Sequence, residues 1–139
     1  EAGVSKTTIV FSEPNRVSMK SFAIEGGVGK LAIEKLGNAN TADFSFEGGV
    51  GSYELDFSGD YQQNLKGKIT LGMGKIVLHL PRHMGTRLSV DESFLSSFDI
   101  DDVFKNGDVY TNSNWEKSKY NIDLNIETGV GKIEVIWVE

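Results

Sequence analysis

The sequence predicts an all-β domain of stacked strand pairs, either a β-solenoid-like stack or a flattened β-sandwich. Three observations carry this reading. A Gly-x-Gly core recurs in Gly27-Val28-Gly29, Gly49-Val50-Gly51, Gly72-Met73-Gly74 and Gly129-Val130-Gly131, with a degenerate copy at Phe94-Leu95-Ser96. The first positions of these cores, 27, 49, 72, 94 and 129, are spaced by 22, 23, 22 and 35 residues, and a fixed period of this size marks stacked units. Apolar residues also alternate with polar ones on both sides of each core, which is the strand period rather than the helix period.

The elements follow in order. Residues 7–11, a turn at Ser12-Glu13-Pro14-Asn15 and the run from Val17 read as a hairpin, so 1–25 is expected to cap the first unit. Val17 and Met19 fall on the opposite phase from Phe22 and Ile24, which predicts a bulge near Lys20 and Ser21. In each unit a first alternating run (Phe22/Ile24, Phe44/Phe46, Ile69/Leu71, Leu88/Val90, Leu124/Ile126) leads into the glycines. A second run then follows: Leu31/Ile33, Tyr53/Leu55, Ile76/Leu78, Phe98/Ile100 and Ile133/Val135. Each unit is therefore expected to hold two strands of about five to seven residues meeting at a glycine corner, where the absent Cβ lets neighbouring turns stack closely. Leu36-Gly37-Asn38, Ser58-Gly59-Asp60 and Pro81-Arg82-His83 read as turns at the opposite corner. The long fifth spacing holds an insertion over 101–120, in which Asn106-Gly107 between apolar flanks predicts a two-residue hairpin. The whole chain, 1–139, reads as one domain, because no single unit could bury its apolar rows alone.

Composition narrows the function. A net charge of −6 argues against nucleic acid or an anionic membrane as the main partner. No apolar run reaches the ~18 residues of a spanning helix. The absence of Cys excludes thiol catalysis and thiolate metal sites.

The segments Gly37-Asn38-Ala39-Asn40, Gly48-Gly49-Val50-Gly51, Leu55-Asp56-Phe57-Ser58-Gly59 and Leu80-Pro81-Arg82, within the run 26–87, resemble the bacterial toast-rack domain. The tail, from Tyr110-Thr111-Asn112 through Ile122-Asp123-Leu124 to Gly129-Val130-Gly131-Lys132-Ile133, is similar to the ends of those domains. It is also similar to the C-terminal domain of LiaF-type proteins that accompany responses to cell-wall-active antibiotics. The resemblance implies a β-rich stacked domain of the bacterial cell envelope, without an established catalytic site and with motifs that serve architecture. It further implies that a signal or anchor segment precedes this sequence, which opens at Glu1.

Several motifs have both a chemical and a structural reading. Gly27-Val28-Gly29-Lys30 invites a phosphate loop, but Ile24 and Leu31 stand where that loop needs Gly and Ser or Thr, and its repetition favours a corner. Asp99, Asp101, Asp102 and Asp108 carry oxygen ligands suited to Ca²⁺, yet Phe104 replaces the glycine of an EF-hand loop and a solvated acidic loop explains them as well. Glu54, Asp56 and Asp60 lie near another corner. His79 and His83 have helical metal spacing, but Pro81 between them excludes the helix, and His79 takes the outward strand phase. No Gly-x-Ser-x-Gly elbow positions a nucleophilic serine. No metal or cofactor is expected.

The insertion concentrates aromatic side chains, Phe104, Tyr110, Trp115 and Tyr120, among Asn106, Asn112 and Asn114. Aromatic faces with amides suit sugar binding, so Tyr110, Asn112, Trp115 and Tyr120 form the candidate binding set. The structural alternative is that they cover the open end of the core. Trp137 continues the parity of Ile133 and Val135 and is assigned to the core or its edge. Taken together, the sequence suggests a non-enzymatic scaffold, sensing or binding module with an envelope glycan or protein as partner. A small β-helical polysaccharide lyase or hydrolase, or a domain that assembles through its terminal strands, are the alternatives.

Overall fold

The computed structural model describes residues 4–13, 19–90 and 95–138. Its strands are β1 (Val4–Val10), β2 (Met19–Glu34), β3 (Thr41–Asp56), β4 (Leu65–Pro81), β5 (Gly85–Val90), β6 (Leu95–Asp99), β7 (Phe104–Asn106), β8 (Val109–Thr111) and β9 (Asn121–Val138). A 3-10 turn, Leu36–Ala39, is the sole helical element among the described residues. The fold is all-β and repetitive.

Four strands of 16 to 18 residues run straight through their Gly-x-Gly cores, so four of the five expected strand pairs are each one strand bent at a corner, while the degenerate pair is two strands, β5 and β6. The register is kept through the corner because like residues pair in parallel: Gly29 with Gly51, Gly51 with Gly74, and Gly74 with Gly131. The glycines are required by close approach. A Cβ at Gly51 would lie 1.9 Å from the Gly29 carbonyl oxygen, one at Gly74 1.9 Å from that of Gly51, and one at Gly131 2.0 Å from that of Gly74. Such contacts are impossible for any other residue.

Beyond the corner the two halves of each strand face each other. Phe46 and Tyr53, on opposite sides of the β3 corner, have ring centroids 5.0 Å apart. Phe44 and Phe57 meet edge-to-face at 5.9 Å. Between the halves lie the predicted rows: Ile33, Leu55 and Leu78 in one, Tyr53, Ile76 and Ile133 in another, with Phe44, Leu124 and Leu88 opposite, all buried. Gly67 takes the place of an apolar residue between Phe44 and Leu124, since a Cβ there would meet Leu124 Cδ2 at 2.6 Å.

The stacking order departs from chain order. The sequence of neighbours is β1-β2-β3-β4-β9-β5-β8-β7, with β6 also on β9. The last repeat is thus threaded between the third unit and the degenerate one, pairing along β4 on one side and along β5 and β6 on the other. This explains the lost glycines: the degenerate unit ends the glycine ladder. The register of β6 on β9 shifts between Leu95, beside Gly131, and Ser97, beside Lys132.

Three local expectations are corrected. Strand β1 does not form a hairpin with β2; it runs parallel to the second half of β2, Val4 beside Val28 and Ile9 beside Ile33. Parallel pairing extends the apolar row by Ile9, and Phe11 then packs edge-to-face on Phe22 at 5.5 Å. The intervening residues 14–18, including part of the predicted turn and Val17, lie outside the described residues. No bulge occurs near Lys20 and Ser21, because β2 keeps one offset to β3 from Met19–Thr41 to Ile33–Leu55. The insertion hairpin forms, but Asn106 pairs with Val109, so Gly107 and Asp108 make its loop, with Gly107 at φ 62°.

Candidate binding cleft at the turn corner

The corners opposite the glycines do not repeat, and they are where polar side chains are committed. Asn38 ties three successive turns together: its Nδ2 donates to the Phe11 carbonyl (2.8 Å) and its Oδ1 accepts from the Asp60 amide (2.8 Å). The Tyr61 ring lies over Gly37, and its hydroxyl donates to the Phe57 carbonyl. Burial, with the nearby Asp56 carboxylate adding to it, pushes the Tyr61 phenol well above its ordinary pKa.

The insertion is fastened to the same corner. Asn112 behaves as an extra strand residue, with its amide donating to the Thr86 carbonyl (3.1 Å) and its side chain serving the Thr86 amide (2.9 Å) and the Met84 carbonyl (2.7 Å). Asn114 Nδ2 donates to the Arg82 carbonyl (2.9 Å), and Ser118 Oγ accepts from the Gly85 amide (2.7 Å). Gly85 is needed for this docking, as a Cβ there would stand 2.0 Å from Asn121 Oδ1.

A cleft of about 300 Å³ results where three turns converge. Gly59, Asp60 and Tyr61 come from the turn after β3, His83 and Met84 from the turn after β4, and Ser118, Lys119 and Tyr120 from the insertion. Its walls thus combine a carboxylate, an imidazole, an ammonium and a hydroxyl with two tyrosine rings, and Lys119 Nζ lies 5.3 Å from the Tyr120 ring centroid. This size sits at the lower end of ordinary ligand sites.

The four residues predicted from the insertion are separated by the fold. Tyr110 is buried and meets Phe98 edge-to-face at 5.0 Å, and Asn112 is buried in the hydrogen bonds above. Trp115 is half-buried on the outer face of the first strand halves, with the Arg87 guanidinium 4.8 Å from its centroid. Arg87 is itself held by both carboxylate oxygens of Asp123, which raises its pKa. Tyr120 lines the cleft. Tyr61, His83, Ser118 and Lys119 are the cleft residues that aromatic clustering alone misses. The signal that finds them is the breakdown of the repeat at the non-glycine corners.

The acidic candidates also disperse. Asp102 pairs with Arg82 (2.8 Å), the Asp101 carbonyl accepts from Trp137 Nε1 (2.7 Å), Asp99 sits on β6, and Asp108 lines a separate cleft of about 350 Å³ with Ser89, Asn125 and Glu127. Among the described residues no three carboxylates or imidazoles gather as a metal site would require. His79 lies on the outer face, 2.9 Å from Glu54 Oε1, whereas His83 is in the cleft.

Comparison with known structures places this architecture. The fold matches a crystal structure described as a "putative cell adhesion protein" from Clostridium sporogenes, with a TM-score of 0.77 and 29% sequence identity. The match covers 85% of this chain and 55% of that protein, so this chain spans about half of its neighbour's length. No family model matches the chain, and no curated protein matches it in sequence. No helix among the described residues is long and apolar enough to cross a membrane.

Proposed function

We infer that this chain is a non-enzymatic binding module of a bacterial cell-surface protein, and that its ligand is a saccharide of the envelope or of a neighbouring surface held in the turn-corner cleft. The observation that carries this reading is the convergence of three non-repeating turns on one cleft lined by Asp60, Tyr61, His83, Lys119 and Tyr120, while the recurrent residues serve the core. Tyrosine faces suit the apolar faces of pyranose rings, and the carboxylate, ammonium and hydroxyl groups suit their hydroxyls. The adhesion description of the structural neighbour supports a surface role, and the sequence resemblance to toast-rack domains supports an envelope location. Trp115 offers a second aromatic contact on the adjoining sheet face.

Thermal-shift titration against peptidoglycan fragments and other envelope glycans tests this. A ligand at a hundred times its Kd adds about 2.7 kcal/mol, which is several degrees at this chain length. Tyr120→Ala should abolish the shift, and because Tyr120 also packs against the core, the melting temperature of the free protein should fall as well. A shift that persists in Tyr120→Ala, or product formation from the glycan, contradicts the proposal.

A further inference from the structure

The middle residues of the second, third and last intact Gly-x-Gly cores face water. Val50, Met73 and Val130 are 48%, 53% and 54% exposed, and they lie in strict register across β3, β4 and β9, with Val28 at the same position of β2. Glycines on either side leave the side chains of Val50, Met73 and Val130 standing as a continuous apolar ridge along the stacking axis. Nothing inside the fold requires an apolar residue there, since the glycines alone make the corner. Yet all four intact repeats carry Val or Met.

The flanks of the ridge differ in sign. Two residues past it runs an exposed row of Lys30, Ser52, Lys75 and Lys132, and three residues before it runs the row Glu25, Glu47, Thr70 and Glu127. An apolar line with cations on one side and anions on the other is complementary to itself, and the charges select the geometry. A two-fold axis parallel to the stacking axis brings each lysine row opposite the partner's glutamate row. It sets Lys30 against Glu25 and Lys132 against Glu127, coil facing the same coil. A two-fold axis perpendicular to the stack, running across the ridge, would set lysines against lysines.

We propose that this ridge is a self-association surface through which two copies pair side by side, with their stacks running in the same direction, in an isologous contact. The ridge is narrow, well under the ~800 Å² per partner of a standard interface, so the dimer is weak, with a Kd on the order of 0.1 mM. It leaves the turn-corner cleft, at the opposite edge of the stack, open on both copies. The contact is therefore independent of what the cleft binds.

Sedimentation equilibrium up to about 1 mM protein should show mass rising from monomer toward dimer. Lys132→Glu should weaken the dimer at least tenfold, and adding Glu127→Lys should restore it. Both sites are exposed, so an unchanged melting temperature verifies the fold. Orientation is read by cysteine trapping in this Cys-free chain. Val50→Cys and Val130→Cys proteins should each form disulfide dimers with themselves. In a mixture, the Val50→Cys protein should not cross-link to the Val130→Cys protein, because β3 and β9 are two strand spacings, about 9.6 Å, apart and a disulfide spans less than about 7 Å between Cα atoms. A monomer at 1 mM, insensitivity to Lys132→Glu, or predominant Val50→Cys to Val130→Cys linkage would each overturn the proposal.

Discussion

At the residue scale, the glycines divide into those that permit stacking and those that merely turn. Gly74 has a φ of 135° and no room for a Cβ beneath the Gly51 carbonyl, whereas Gly107 has a φ of 62° with nothing within 4 Å. Gly74→Ala should therefore cost about 3 kcal/mol or more, and Gly107→Ala about 1 kcal/mol, read from chemical denaturation midpoints. Asn112 poses the corresponding polar test. Removing its side chain by Asn112→Ala leaves the buried Thr86 amide and Met84 carbonyl without that partner, at a cost of about 2–4 kcal/mol. Tyr61 adds a pH dependence whose sign follows from its raised pKa. Past the ordinary phenol value of 10.0 the unfolded chain releases a proton that the folded chain keeps, so stability is intact below that pH and declines above it. Melting temperatures between about pH 9 and 11 should fall less steeply in Tyr61→Phe than in the parent. That two of the proposed sugar-binding residues, Tyr110 and Asn112, lie inside was not legible in the sequence. Aromatic and amide types serve binding sites and buried networks equally, and only the packing of Phe98 on Tyr110 and of Asn112 on residues 84–86 separates the two uses.

At the element scale, nearly every inward residue could be read from alternation, because parity in a strand fixes its face and like residues stack on like. Ile76→Ala, at the centre of the row Tyr53, Ile76 and Ile133, should destabilise by about 2–5 kcal/mol through the cavity it opens. Parity is blind to strand direction, however. Residues Ile9 and Phe11 suit the inner face whether β1 runs parallel or antiparallel to β2, so a hairpin and a parallel half-coil were equally compatible with the pattern. The one-residue offset of the Gly107-Asp108 loop has a similar origin. Asn106 and Gly107 both tolerate turns, and the choice is made by β8 registering on β5, with Leu88 opposite Tyr110.

At the scale of the whole molecule, the order of the stack is decided by contacts no single repeat contains. Any permutation of repeats with equal parity satisfies the core, but a unit without glycines cannot sit in the middle of the glycine ladder. The degenerate unit at 95–99 is therefore pushed outward and β9 takes the place beside β4. The same threading brings residues 118–120 back to the corner held by Tyr61 and His83, creating the cleft from segments some 60 residues apart. Truncation after residue 120 should abolish cooperative folding rather than trim an end, because it removes the strand that joins β4 to β5 and β6. Loss of a sharp thermal transition would show this. The central claim, that this corner is the binding site, is tested most directly by two-dimensional NMR of the labelled protein during titration with soluble peptidoglycan fragments. The account predicts saturable shifts centred on Gly59–Tyr61, His83 and Ser118–Tyr120. Shifts confined to the outer sheet faces, or none at millimolar ligand, would contradict it.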